Sequence, residues 1–403
     1  MMKLKIAVVA IFSLVLINND WADTPPTIIG QLPQATSNVI YTAVPFLTIS
    51  PDARGGSMGD LGVATKPDAN SMHWNPAKYA FMDDSWGFSS SYSPWLQNLA
   101  PDIRLLYLSW YDKLDKFQTI AFAIRYFSLG QIIFTDIYNA PAGSKTPNEF
   151  SLDGAYSRLF SETFSMGIAF RFIRSDLSSG SYTPGIEPTK AGVTAAVDIS
   201  AYYKKPLQVN NQAAEIAFGL NISNIGNKIS YSESEQPEFI PTNLRLGSAY
   251  TMTLDPYNKL VLSTDLNKLL VPTPPIIVTD SNGVQTRIKG MDQNVSVMQG
   301  MIQSLYDAPG GASEKLKEIT ISVGSEYWYR DQFAIRGGYF NESAMKGNRK
   351  YFTVGFGLKM TLLTLDFSYL VPTAGRSNPL ANTMRFSASV NIGKPKKQQL
   401  PKN

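Results

Sequence analysis

Along several stretches the chain alternates large apolar residues with small or polar ones at strict period two. In one of them Phe164, Met166, Ile168, Phe170 and Phe172 share a face, with Ser165, Gly167, Ala169 and Arg171 on the other. The pattern returns at Ile216, Phe218, Leu220 and Ile222 against Ala217, Gly219, Asn221 and Ser223. It returns at Phe352, Val354, Phe356, Leu358 and Met360 against Thr353, Gly355, Gly357 and Lys359, and again at Met384, Phe386, Ala388, Val390 and Ile392 against Arg385, Ser387, Ser389 and Asn391. Period two belongs to strands. Strands of soluble proteins run to about 5–6 residues, whereas these run to about 9–11, the length a tilted strand needs to cross a bilayer. Large apolar side chains turned to lipid and small ones turned to a crowded lumen predict an all-β fold, an antiparallel transmembrane β-barrel.

Strands are expected to begin near Trp86, Ile103, Phe117, Glu149, Thr163, Ala191, Ala213, Asn243, Lys259, Ile319, Gln332, Lys350, Leu363 and Thr383, about fourteen in all. An even number suits a closed barrel with both termini on the periplasmic side. Short connections at 112–116, 159–162, 254–257, 330–331 and 361–362 alternate with long ones rich in Pro, Gly, Ser and Asn; among the short set only 204–212 is longer. The long ones, at 93–101, 140–148, 175–190, 224–242, 270–318, 341–349 and 372–381, are expected to face outside. Trp110, Tyr111, Tyr202, Tyr203, Tyr327, Trp328, Tyr329 and Tyr351 near strand ends suggest interfacial girdles. Alternation turns Arg171, Asp198, Arg245, Asp265, Glu326, Arg336, Lys359, Asp366 and Arg385 inward, suited to ion pairs with a plug. The competing soluble β-sandwich would have shorter strands.

Composition narrows the alternatives. With 403 residues, 44% hydrophobic and 12% aromatic, the chain is not disordered, and 17% charged residues is low unless much of the surface meets lipid. A net charge of +4 gives no nucleic-acid footprint. Cysteine is absent, which removes disulfides, thiolate catalysis and Cys-based zinc sites, and with His73 as the lone histidine metal chemistry is poorly provided for; no metal or cofactor is expected. Lys3 and Lys5 followed by the apolar run 6–17 read as an export signal, with Ala22 as the expected cleavage position. The expected organisation is a signal peptide (1–22), an N-terminal segment and hatch (23–85), the barrel (86–392) and a basic periplasmic tail (393–403). Roughly sixty residues between signal and first strand suffice to fill the barrel.

That interval carries two recognisable words. Residues 50–60, with Gly55, Gly56 and Gly59, are followed by residues 70–79, with His73, Trp74, Asn75, Pro76 and Ala77. Together they resemble the hatch of FadL-type outer-membrane barrels. More narrowly, YTAVPFLT at 41–48 and SMHWNPAKYAF at 71–81 resemble the PorV-like barrels of the type IX protein secretion system. The resemblance implies a cargo receptor and shuttle. Its partners would be a large translocon barrel, secreted cargo bearing a C-terminal signal domain, and a surface attachment complex containing a signal-removing peptidase. The rival is uptake of hydrophobic small molecules. In FadL-type transporters a kink in the third strand opens the wall, and here Ser128, Leu129 and Gly130 precede Ile132 and Phe134.

The external loops hold the candidate partner-binding residues. Val271, Pro272, Pro274, Pro275, Ile276, Ile277 and Val278 put apolar side chains on a stiff proline scaffold. Val295, Met298, Met301, Ile302 and Leu305 are spaced as one face of a short helix, either a partner site or a lid over the barrel mouth. Phe239 and Ile240, beside Glu233, Glu235 and Glu238, are expected to be exposed on a second loop. Serine hydrolysis would need a base beside a nucleophile. His73 in the hatch word reads as structural, and no catalytic residue is assigned.

Overall fold

In the computed structural model the alternation becomes a closed wall; the structure describes residues 38–97, 100, 102–135, 141–177, 189–233, 236–279, 285–373, 380 and 382–393. The expected signal peptide and the tail beyond residue 393 lie outside the described residues. The wall has fourteen strands: β1 (Trp86–Pro94), β2 (Arg104–Lys113), β3 (Gln118–Ser128), β4 (Asn148–Leu159), β5 (Phe164–Asp176), β6 (Gly192–Val209) and β7 (Gln212–Gly226) form one half. The other half is β8 (Asn243–Thr253), β9 (Asn258–Leu269), β10 (Ile319–Tyr329), β11 (Phe333–Asn341), β12 (Lys350–Lys359), β13 (Leu363–Pro372) and β14 (Met384–Ile392). Each pairs antiparallel with its chain neighbours, and β1 closes on β14 from Trp86↔Ile392 to Tyr92↔Phe386. Closure gives each strand a hydrogen-bonded neighbour on both sides, as a strand assembly in lipid needs. Among the described residues no helix is long and apolar enough to cross a membrane. On β5, Met166, Ile168 and Phe170 are exposed while Ser165, Gly167, Ala169 and Arg171 are buried in the lumen.

Three expectations about the wall need correction. The connection expected at 204–212 is a two-residue turn. Asn210 and Asn211 both take positive φ (53° and 61°), as do Arg330 and Asp331 (54° each), and such paired left-handed residues match the twist of adjacent strands. Lys204, Lys205 and Pro206 hide the strand by interrupting its apolar alternation. Second, β3 does not bend. It ends at Ser128, and its registers to β2 and β4 are continuous. Gly130 (φ +84°) turns the chain out of the wall against Asp102, whose carboxylate accepts from the Gln131 amide at 2.6 Å. Ile132–Thr135 then pairs with Pro141–Lys145 in a separate hairpin. Third, Tyr111, Tyr202, Trp328 and Tyr351 face the lumen rather than the girdles. Period two permits only one of two adjacent aromatics to face lipid, and Trp110, Tyr203, Tyr327 and Tyr329 take that side.

The segment before β1 fills the barrel and threads its full length. Asn38 donates its amide to Met345 O, and Ala43 donates to Phe239 O, both at the end that carries the long loops. Ser85 donates to Gly393 O and accepts from the Lys113 amide, at the end with the short turns. The described chain therefore begins at the loop end, opposite Ile392. Nothing in the pattern encodes a threading direction. Near the loop end Val44, Phe46 and Leu47 pack with Leu105, Phe127, Ile173 and Ile240 in the main apolar cluster.

Candidate functional site

The plug is built from short elements: α1 (Ala53–Gly56), α2 (Ser71–Trp74) and two 3-10 turns, Pro45–Thr48 and Pro76–Phe81. Both hatch words supply its joints. Asp52 caps α1, accepting from the Gly55 amide at 2.8 Å and from Trp74 Nε1 at 2.7 Å, so one carboxylate ties the two words together. Gly55 lies under the Trp74 ring, where a Cβ would stand 2.4 Å from it, and Gly56 lies under Arg385. Asn75 Nδ2 reaches Val63 O and Ala201 O, Pro76 O accepts from Ser157, and the Ala77 amide donates to Ser200. Gly59 (φ +81°) lies against the backbone of Tyr339. The wall answers with its own glycines. A Cβ on Gly338 would stand 2.0 Å from Met58 C, one on Gly219 2.2 Å from Val63 O, and one on Gly324 2.5 Å from Met58 O. Only a side-chain-free wall admits backbone this close.

Charge completes the seal. Arg54 binds Glu326 and Asp68, Glu326 also accepts from Arg336, and Arg336 reaches Asp366 at 2.7 Å. Arg171 is held by Asp153 (2.7 Å) and Asp198 (3.1 Å), and Arg385 by Asp60 (3.2 Å). Of the nine charges expected in the lumen, Lys359 is the exception: it is exposed at the turn end of β12. Arg125 and Asp153 were missed although they fall on the inward faces of β3 and β4; the plug's Arg54 and Lys78 carried no such signal. Lys78 is fully buried and donates to Gly62 O at 2.8 Å and to Thr65 Oγ1 at 3.1 Å. His73 is buried; its ring nitrogens meet Arg125 and Arg245 and its ring packs edge-on against Trp74.

At the loop end a different surface appears. The 270–318 connection holds a hairpin, Ile276–Thr279 with Gln285–Lys289, and two helices, α3 (Val297–Gln303) and α4 (Gly311–Lys317). Both helices expose apolar side chains and bury polar ones. The buried residues of α3 and its cap are Gly300, Gln303 and Ser304, while Met298, Ile302, Leu305 and Tyr306 are 62%, 59%, 55% and 61% exposed. Gly300 rests on Phe239 and Pro272, where a Cβ would come within 3.1 Å of either side chain. In α4, Glu314 and Lys315 are buried and Leu316 is 70% exposed. Glu318 anchors the underside, accepting from Lys268 (2.7 Å), Thr273 (2.7 Å), Lys315 (3.0 Å) and Lys346 (3.2 Å). Burial raises the Glu318 carboxyl, but the Lys268, Thr273 and Lys315 contacts outweigh it and hold it at about 2. Lys315 also pairs with Asp307, and Glu314 accepts from Lys346 and from Asn38 of the threaded segment.

The candidate residues therefore divide. Val271 and Pro272 are buried, Pro274, Pro275 and Ile276 are half-buried, and Ile277 is exposed; of Val278 only the backbone is described. Ile240, expected on the surface, is buried in the main apolar cluster, and Phe239 is half-buried beneath Lys228 and Gly300. Flanking acids suggested a solvated loop, but Ile229↔Glu238 pairing folds it back over the barrel mouth. The proline arm is thus the floor of the cap. Met298 and Ile302 are on its outer face, with Met301 half-buried at the edge; Leu305, Tyr306 and Leu316 join them. The helix that was either a lid or a partner site lies over the mouth on its polar side.

The family model described as type IX secretion system protein PorV matches residues 32–276. No curated protein matches significantly. Solved structures similar in outline include the Ralstonia pickettii toluene transporter TbuX, at 10% identity and TM-score 0.43, covering 85% of this chain and 98% of that one. The Pseudomonas putida toluene transporter TodX gives 10% and 0.44 (83% and 96%), and a Pseudomonas aeruginosa FadL homologue 10% and 0.42 (88% and 100%). No conclusion about this chain rests on likenesses so distant.

Proposed function

Since the chain belongs to the PorV family of type IX secretion system proteins, we propose that this outer-membrane barrel receives secreted proteins at the translocon through their C-terminal signal domain. It then carries them to the surface attachment complex with its signal peptidase. The long loops face the cell exterior, and the working surface is the outer face of the cap. The observation that carries this reading is the inversion of α3: an apolar face of Met298, Ile302, Leu305 and Tyr306 stands beyond the strand ends while the polar face is turned down. Exposed apolar surface of this kind marks a protein-binding site, and a methionine-bearing face adapts to varied partners. A plug tied to the wall along its length supports a role that does not pass molecules through the lumen, and the continuous registers of β3, which ends at Ser128, lend no support to a kinked third strand.

Affinity purification of the tagged barrel from its own outer membrane, with mass spectrometry of what co-purifies, tests the proposal. Recovery of a very large barrel and of secreted proteins retaining their C-terminal domains is expected. An Ile302→Asp/Leu305→Asp variant should lose the secreted proteins at unchanged barrel yield. A barrel recovered alone, with hydrophobes bound, would replace this reading with uptake.

A further inference from the structure

Charge in the cap is sorted by depth. Among the described residues of 270–318, Asp307, Glu314 and Glu318 are buried together with Lys315, and only Asp292 is an exposed acid. The remaining cations, Arg287, Lys289 and Lys317, are all exposed, and none forms an ion pair with a described carboxylate. The neighbouring 341–349 loop repeats the order: Glu342 is buried, and its partner Arg349, at 2.8 Å, is exposed. The buried acids are already engaged by Lys268, Lys315 and Lys346. Apart from Asp292, no described carboxylate of this connection is left to balance the outer cations.

These cations border the apolar face. Register pairs Ile277 with Arg287 and Ile276 with Lys289 across the hairpin. Gly290, next to Lys289, packs so closely on Pro275 and Pro309 that a Cβ would stand 2.9 Å and 3.1 Å from them, which ties the hairpin base to the α3–α4 junction. Gln303 of α3 donates to Asp292 O at 2.7 Å, so the chain leaving the hairpin runs against that helix. Lys317 directly follows the exposed Leu316 in α4. The 224–242 loop, which meets α3 where Phe239 lies under Gly300, exposes Glu233 and Glu238 instead, so the cationic character belongs to the hairpin and α4. An apolar centre with a one-signed border on one side selects and orients a partner of opposite charge. The helices rest on Pro272 and Phe239 over the mouth and not on the lipid-facing wall, a position that suits a protein segment better than an acyl chain. Resting on the cap-face reading above, we propose that the segment seated there is amphipathic and acidic. Its apolar side chains meet Met298, Ile302 and Leu305, and its flanking carboxylates pair with Arg287, Lys289 and Lys317.

Two synthetic peptides with identical apolar residues, one flanked by glutamates and the other by lysines, test this by fluorescence anisotropy against the full-length barrel in nanodiscs of neutral lipid. The glutamate peptide should bind about tenfold more tightly at low salt, and the preference should shrink as salt is raised. Arg287→Glu with Lys289→Glu, both at exposed positions, should reverse the order of the two peptides, whereas Ile302→Asp with Leu305→Asp should weaken both. Equal affinities, or an order that the charge reversal does not move, would overturn the assignment; secreted proteins still co-purifying with the barrel would then leave the cap-face reading standing. The expected preference without any co-purifying secreted protein would keep the acidic partner and sink the secretion reading. Failure of both peptides, with binding to anionic phospholipid vesicles that the charge reversal abolishes, would overturn it in favour of a lipid headgroup.

Discussion

The wall and the cap both turn apolar residues outward and polar ones inward, yet the same inversion means different things in the two places. On β12, Phe352, Val354 and Phe356 face out and Gly355 and Thr353 face in, and lipid covers the outer side. On α3 and α4, Met298, Ile302, Leu305, Tyr306 and Leu316 face out over a buried lattice of Glu314, Lys315 and Glu318, but these helices lie beyond the strand ends. A lipid-facing strand needs no other partner. The apolar helix face at the mouth of the barrel is where we propose that a protein partner docks.

Substitutions sharpen this contrast, in descending order of their effect on the barrel. Gly338→Val should do the most damage, because its Cβ would fall 2.0 Å from the backbone of Met58 and neither side can yield. Loss of the fast-migrating folded band on unheated gels is the readout. Glu318→Gln should open the cap and spare the barrel. Breaking a buried hub of this kind costs on the order of 3–5 kcal/mol, and trypsin should then cut within 270–318 while the heat-modifiable band persists.

The same hub predicts a pH response. Its folded-state pKa of about 2 lies below the ordinary 4.5, so the stabilisation is complete above 4.5 and is lost only as pH falls from there through about 2. Protease resistance of the cap should therefore be equal at pH 7 and pH 5 and decline only as pH falls below about 4.5 towards 2. Smallest for the fold is Ile302→Asp with Leu305→Asp: both positions are exposed, so thermal stability should shift by about 0.5 kcal/mol or less, while cargo recovery is lost. Equal melting curves with undiminished cargo would detach the cap face from binding.

Much of the wall was legible because period two is imposed twice, by lipid outside and plug inside. Strand starts such as Trp86, Asn243 and Ile319 are read off directly. Gly219 was visible as a small inward residue, but its reason, the approach of the plug backbone that it shares with Gly324 and Gly338, was not. Local pattern also failed wherever contact is between distant segments. Ile240 reads as exposed from its acidic neighbours and is buried by Val44 and Phe46. Val271 and Pro272 read as an outer arm and form a floor under Gly300. The direction in which residues 38–85 thread the barrel is fixed by hydrogen bonds to the loops, over separations no local pattern records.

The contrast between wall and cap is tested most directly by a photo-crosslinking residue placed at Ile302 in one strain and at Phe352 in another, activated in living cells. The account predicts protein adducts at 302, among them secreted proteins with their C-terminal domains, and none at 352. Adducts at 352 equal to those at 302, or none at either, would contradict it.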